Sequence, residues 1–130
     1  MRAVVVDASA FVDYLLHPDA ARDIGELVLD PDHDVHVPAL CDVEVAAALR
    51  VALLTKRLNA NRVTEVTEAY FDLPVTRHGH ELLVSRILAL RHNFTAYDAT
   101  YVALAEALDG QLLTADAALA RAASKHVRIA

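Results

Sequence analysis

Asp7, Glu44, Asp98 and Asp116 are the residues whose types and positions could do chemistry. Each lies against apolar sequence, where an ordinary surface acid is out of place. Asp7 closes the run Val4-Val5-Val6, and Glu44 interrupts the almost wholly apolar stretch from Ala39 to Leu54. Asp98 ends Thr95-Ala96-Tyr97-Asp98 at the opening of an apolar helical pattern, and Asp116 follows Leu112-Leu113-Thr114 after one residue. Gathered into one cleft, these carboxylates cannot all stay ionised without a compensating cation. Their oxygens are hard ligands, suited to a divalent ion such as Mg2+. The chemistry this points to is metal-dependent work on phosphate groups.

The elements that must bring the acids together read as alternating strands and helices. Residues 2–6 are apolar and β-branched without alternation, the mark of a strand buried on both faces. Further strands are expected over 34–37, stopped by Pro38, and over 73–76, 111–114 and 126–129. Helices are expected over 9–16 with Ser9 as N-cap, 19–29, 39–54, 60–71 with Asn59 as N-cap, 79–91, 96–108 and 116–123. Such alternation implies a parallel sheet covered by helices on both faces. Ligands of such sheets bind beyond the carboxyl ends of the strands. Asp7 and Asp116 follow strands at that end. Asp98 falls in the first turn of its helix, and Glu44 lies about a turn and a half into its own. All four can face one rim. No repeat, low-complexity stretch or linker interrupts the pattern, so residues 1–130 are expected to form a single domain.

Each acid also has a plainer role open to it. Asp7 could cap a helix or end a strand. At about 100° per residue, Glu44 shares a stripe with Leu40, Ala47, Ala48 and Val51, where an unpaired carboxylate is costly to desolvate. A buried ion pair with Arg50 or another cation is the structural alternative. Asp98 stands at capping-box spacing from Thr95, although the usual partner there is Glu or Gln. Thr114 or Asp116 could cap the last helix. The functional reading therefore rests on the four together. His33-Asp34-Val35-His36 and His78-Gly79-His80 look like ligand pairs in isolation but read as loop histidines. Cys41 has no basic neighbour in sequence and reads as a small buried thiol. Tyr97 and Tyr101, one helical turn apart, read as packing residues, and Asp13, Asp19, Asp23 and Glu26 as solvated helix faces. There is no Gly-rich phosphate loop and no nucleophile elbow.

Composition bounds the rest. The chain is 130 residues long and 55% hydrophobic, enough to build the core of one domain. No apolar run spans a bilayer, the N-terminal segment lacks a signal peptide's apolar stretch, and a lone cysteine excludes an intrachain disulfide. A soluble, cytoplasmic protein with no membrane association is expected. The net charge of -6 argues against nucleic-acid affinity resting on global charge. It does not exclude a nuclease, because bound metal ions reverse the local sign. Arg50, Lys56, Arg57 and Arg62 cluster locally, either to solubilise the surface or to steer phosphate. The 39–54 helix carries only Asp42, Glu44 and Arg50 as charges. A helix apolar almost all round is central or shared across an interface, so a two-fold homodimer is expected.

Together these segments resemble the PIN-domain nucleases, and among them the VapC toxins of bacterial VapBC toxin–antitoxin pairs. Val4-Val5-Val6-Asp7-Ala8-Ser9-Ala10 resembles the family's first strand and acid, and Glu44 in its apolar helix matches the second acid. Tyr97-Asp98-Ala99-Thr100-Tyr101-Val102-Ala103-Leu104-Ala105 resembles the third motif and Leu113-Thr114-Ala115-Asp116 the fourth. The resemblance implies a three-layer α/β/α sandwich with a central parallel sheet. It implies Mg2+- or Mn2+-dependent endoribonuclease activity on RNA, a homodimer and a VapB-like antitoxin partner. Carried over by position, Asp7, Glu44, Asp98 and Asp116 form the catalytic, metal-binding set, with Ser9 and Thr114 as supporting polar groups. Some relatives carry a further acid or amide shortly after the fourth aspartate. Ala117, Ala118 and Leu119 follow here, which implies a second metal held weakly or only with substrate. Two alternatives remain. One is a PIN nuclease of housekeeping RNA processing, which the small size and lack of appended RNA-binding domains disfavour. The other is a receiver-like signalling module with an acidic Mg2+ pocket. That fold would need a lysine near the end of its last strand, whereas Lys125 precedes the final strand.

Overall fold

A computed structural model describes residues 2–130. Its strands are β1 (Arg2–Val6), β2 (His33–Pro38), β3 (Val75–His78), β4 (Gln111–Leu113) and β5 (Arg128–Ile129). They form one sheet in the order β3-β2-β1-β4-β5, every pair parallel. Val4 pairs with Val35 on one side and Gln111 on the other. That central position explains the unbroken Val4-Val5-Val6 run, which is fully buried. The chain winds outward from β1 through β2 to β3, then crosses back to β4 and on to β5. The winding therefore reverses between β1 and β4, and a crevice opens at their carboxyl ends.

The helices are α1 (Ala8–Leu16), α2 (Arg22–Leu29), α3 (Leu40–Leu54), α4 (Ala60–Asp72), α5 (Val84–Ala89), α6 (Ala96–Ala107) and α7 (Ala117–Ala123). α1 packs against α2, α3 and α4, whereas α6 lies across β1, β2 and β4. This is the expected three-layer α/β/α sandwich. Asn59 caps α4 as expected, accepting from the Arg62 amide at 2.8 Å.

Several boundaries differ from expectation for local reasons. β2 runs through Pro38, which is paired with His78 at the strand's last position. β3 begins at Val75, two residues late, because Leu73 still closes α4 through a bond to the Tyr70 carbonyl. The 79–91 helix is a 3-10 turn over Glu81–Leu83 followed by the short α5. α2 starts at Arg22, since a turn closed from the Ala21 amide to the His17 carbonyl precedes it.

The helix buried on all sides is α6, where every residue from Ala99 to Ala105 is covered. α3 is not central. It buries Cys41, Val45, Leu49 and Ala52, and leaves Val43, Val51 and Leu54 exposed. Both helices end in the same way. Lys56 and Asp109 take left-handed backbone at φ 60° and 50°, and the next amides, Arg57 and Gly110, reach back to Ala52 and Ala105 at 2.9 Å each. Gly110 must be glycine for a separate reason. A Cβ there would sit 2.7 Å from the Ala3 carbonyl oxygen of β1.

Candidate active site

Asp7 leaves β1 and enters α1, and its hydrogen bonds define the crevice. Its amide extends the β1–β4 ladder to the Leu113 carbonyl at 3.0 Å. Its Oδ1 accepts from Ser9 Oγ at 2.7 Å and from the Ala10 amide at 3.0 Å, and its Oδ2 accepts from Thr114 Oγ1 at 2.6 Å. Asp7, rather than Ser9, is therefore the N-cap of α1. Ser9 is already inside the helix and uses its hydroxyl to hold the acid. The two hydroxyls are also tied to the loop after β4: Ser9 Oγ accepts from the Ala115 amide at 3.1 Å and Thr114 Oγ1 from the Asp116 amide at 3.0 Å. Asp116 caps α7, its Oδ1 accepting from Ala118 at 2.9 Å and Leu119 at 3.2 Å.

Glu44 and Asp98 approach from the other elements. Glu44 does not pair with Arg50. Its stripe is the border of α3's buried face, with Leu40 and Ala48 half-buried and Ala47 and Val51 exposed. Its Oε1 accepts from the phenol of Tyr101 on α6 at 2.5 Å. Asp98 is half-buried in the first turn of α6, and its amide donates to Thr95 Oγ1 at 3.1 Å, the expected half of a capping box. Among the described residues, no protein donor reaches Glu44 Oε2, Asp116 Oδ2 or the Asp98 carboxylate.

Electrostatics tie the four together. Burial pushes the proton affinity of Asp7 up, partly offset by the Thr114 and Ser9 hydroxyls and the Ala10 amide, with the Asp116 charge adding to the rise. Glu44 is raised by burial, held down in part by Tyr101, and raised again by the charges of Asp7 and Asp98. Asp98 is raised by burial and then by Asp116 and Asp7. The acids thus sense one another across β1, α3, α6 and the start of α7. Three of them stand at helix N-termini, whose partial positive charge favours an anion.

The other candidates fall outside this cluster. Of the two histidine pairs only His80 is a loop residue; His33 and His36 lie in β2 and His78 ends β3. His36, buried in β2, bonds through Nδ1 to His78 Nε2 of β3 at 2.8 Å and through Nε2 to Asp34 at 2.7 Å. His80 accepts the Leu40 amide at 3.0 Å, so it caps α3, which has no cap of its own. Cys41 is buried, and desolvation pushes its thiol up to about 11. Arg62 is engaged by Glu65 at 3.1 Å. Arg57 lines a cleft of about 690 Å³ shared with Ser9, Glu44, Val12 and Ala48. A cleft of about 790 Å³ near Gly110, Lys125 and Arg128 contains none of the four acids, and the smaller one is lined by Glu44 alone among them. Two polar contributors, one half-buried and one buried, escaped sequence reasoning. Asp42 joins Tyr70 and Arg77 at 2.7 and 2.9 Å, fastening α3 to α4 and β3. Tyr101 is the other. Its only signal is the three-residue spacing from Asp98, which puts both on one face of α6.

Fold and site together define an α/β protein with an acidic cleft at the switch point of a doubly wound parallel sheet. The chain belongs to the PIN domain family, whose model matches residues 4–125. Among curated relatives, VapC ribonuclease Mb0985 of Mycobacterium bovis is 42% identical over 87% of this chain and 85% of its own. Ribonuclease VapC1 of Mycobacterium tuberculosis is 40% identical over 94% and 92%. Ribonuclease VapC3 of Pyrobaculum aerophilum is 37% identical over 90% and 92%. The crystal structure of PAE2754 from Pyrobaculum aerophilum matches with a TM-score of 0.70 over 98% of this chain and 84% of that one. At 19% identity this likeness shows a common fold.

Proposed function

We propose that this chain is a metal-dependent endoribonuclease, the toxin of a VapBC-type toxin–antitoxin pair, hydrolysing RNA phosphodiester bonds at Asp7, Glu44, Asp98 and Asp116. The observation that carries this reading is Asp7. It is a carboxylate only 5% exposed, clamped by Ser9 and Thr114 between the ends of two central strands, in a chain closely related to named ribonucleases. A purely structural cap would not need to be so deeply buried beside three other acids.

The donor set fits a hard divalent cation in its chemistry. It is all carboxylate oxygen, with proton affinity raised at Asp7, Glu44 and Asp98 and with lone pairs at Glu44 and Asp116 that no protein donor among the described residues satisfies. Among the described residues, no three His, Cys, Asp or Glu side chains are arranged to hold an ion as they stand. Mg2+ is the first candidate and Mn2+ the second. When bound, the ion would supply Lewis acidity toward a phosphoryl oxygen and toward the attacking water. The chain itself does the holding. Ser9, Thr114 and the Ala10 amide fix Asp7 in one rotamer, and the cap on α7 fixes Asp116. Arg57, at the edge of the cleft that reaches Glu44, supports the phosphate-steering reading of the basic cluster.

The wider assignment follows from the same reading. It comprises one PIN-like domain over residues 1–130, a cytoplasmic location, a homodimer and a VapB-like antitoxin. No helix among the described residues is long and apolar enough to cross a membrane. The decisive experiment is incubation of the purified chain with a defined RNA panel, with Mg2+ and with chelator, beside Asp7→Asn and Asp98→Asn. Cleavage is expected only with the ion and in neither variant. Equal cleavage under chelation, or by both variants, overturns the reading.

A further inference from the structure

Tyr101 is the buried polar group to which nothing above gives a role. Its residue is 2% exposed in the core of α6, and its phenol donates to Glu44 Oε1 at 2.5 Å. Asp98 lies three residues earlier on the same face of α6. One helix therefore delivers an acid of the site and also the donor that grips a second acid on another helix. The contrast between the acids is informative. Asp7 is held by three donors and Asp116 by two backbone amides. Glu44, in the second turn of α3 and beyond the reach of its N-terminal amides, has Tyr101 as its sole donor among the described residues. It is also the acid with the longest side chain and the most rotamer freedom to lose.

We propose that Tyr101 is a positioning residue for the nuclease reaction, its phenol fixing the Glu44 carboxylate so that Glu44 and Asp98 present oxygens to the same divalent cation. The proposal rests on the assignment of Glu44 to the metal-binding set. The competing account is that the pair merely satisfies a buried phenol, as buried tyrosines require. The two accounts differ in what the loss of the hydroxyl does. A structural phenol replaced by phenylalanine leaves Glu44 free to bind a cation as before. A positioning phenol does not, and removing a group that orients a ligand typically weakens metal affinity by about 10- to 100-fold.

The test uses the full chain without RNA, with Mn2+ as probe and its paramagnetic signal as readout. Wild type, Tyr101→Phe, Glu44→Gln and the double variant are compared, and RNA cleavage is followed in parallel. Tyr101→Phe is expected to keep its circular dichroism spectrum while binding Mn2+ about 10- to 100-fold more weakly. The double variant is expected to bind no more weakly than Glu44→Gln alone, because Tyr101 acts through Glu44. Wild-type Mn2+ affinity in Tyr101→Phe, with Glu44→Gln impaired, overturns the positioning role and leaves the site intact. Wild-type affinity in Glu44→Gln removes Glu44 from the site and Tyr101 with it. A measurement on the unmodified chain guards against misfolding of the variants. The Tyr101 hydroxyl proton, followed by NMR, is expected to shift on Mg2+ addition with the midpoint of ion binding, and an unmoved resonance overturns the proposal.

Discussion

At Asp7, burial and hydrogen bonding oppose each other, and the sign of the outcome can be worked out. Its proton affinity is raised in the folded chain, first by desolvation, as are those of Glu44 and Asp98. As pH climbs from the ordinary carboxylate range through the raised values, the unfolded chain loses its protons first. The folded state then holds more protons than the unfolded one, so stability falls with rising pH across that window. Metal-free wild type is therefore expected to melt at lower temperature at neutral pH than at mildly acidic pH. Asp7→Asn keeps an N-cap acceptor for α1 but sheds the charge. Thermal melts in chelator should place this variant above wild type at neutral pH, the gap closing as pH falls. A wild type more stable at neutral pH would refute the charge argument. Thr114→Val is expected to act in the opposite direction. It removes the 2.6 Å donor to the buried Asp7 carboxylate and leaves the exposed Asp116 amide to water, at a cost of about 1–3 kcal/mol in urea unfolding.

Elements place these residues, and Gly110 shows how tightly. Any side chain there meets the Ala3 carbonyl of β1. Gly110→Ala is expected to push β4 away and cost about 1–3 kcal/mol, with Thr114 displaced and cleavage reduced. Unchanged stability in denaturant would mean that β4 yields freely. Much at this scale was legible. Val4-Val5-Val6 announced the central strand by lacking alternation, Asn59 announced α4, and the order of strands and helices implied the parallel sandwich. Errors came where two residues could do the same job, or where neighbours in space decide. Ser9 and Asp7 are both good caps, and sequence offered no reason to choose the one at the strand's end. The apolar pattern of 39–54 resembled a central helix, yet α6 took that place because it alone crosses three strands. Three of the acids could be anticipated at element ends. The partner of Glu44 could not, since the crossing of α3 and α6 is set by tertiary packing.

For the whole molecule, the unburied apolar residues matter most. Leu82 is 96% exposed and Tyr97 63%, and Leu40, Val84, Leu88 and Tyr97 line one cleft. Apolar surface gathered in this way usually marks an interface. Sedimentation at micromolar concentration is expected to show a two-fold dimer, and Leu88→Glu a monomer. A monomeric wild type counts against the homodimer. The acidic cleft makes a second claim on partners. An arginine cannot give up its proton in practice, so an antitoxin segment carrying one can take the cation's place among the four acids. Inhibition by the co-expressed antitoxin should then weaken as Mg2+ is raised. Insensitivity to the ion, with the complex intact, would show that inhibition does not work through the acids.

The helix starts described above carry a further consequence, for how such a chain decays. Asp7 and Asp116 cap helices through their own carboxylates, a folding duty that outlives catalysis, whereas the bond at the start of α6 is made by the Asp98 amide and not by its side chain. The Glu44 carboxylate caps nothing, and its folding duty is limited to accepting the one bond from the Tyr101 phenol. A copy of this gene released from selection for cleavage, yet still required to fold, should keep a cap acceptor at positions 7 and 116, Asn serving as well as Asp, and should lose the acids at 44 and 98 first. In a family of paralogues, the identities of positions 44 and 98 then distinguish a working nuclease from a folded relic that retains its helix caps.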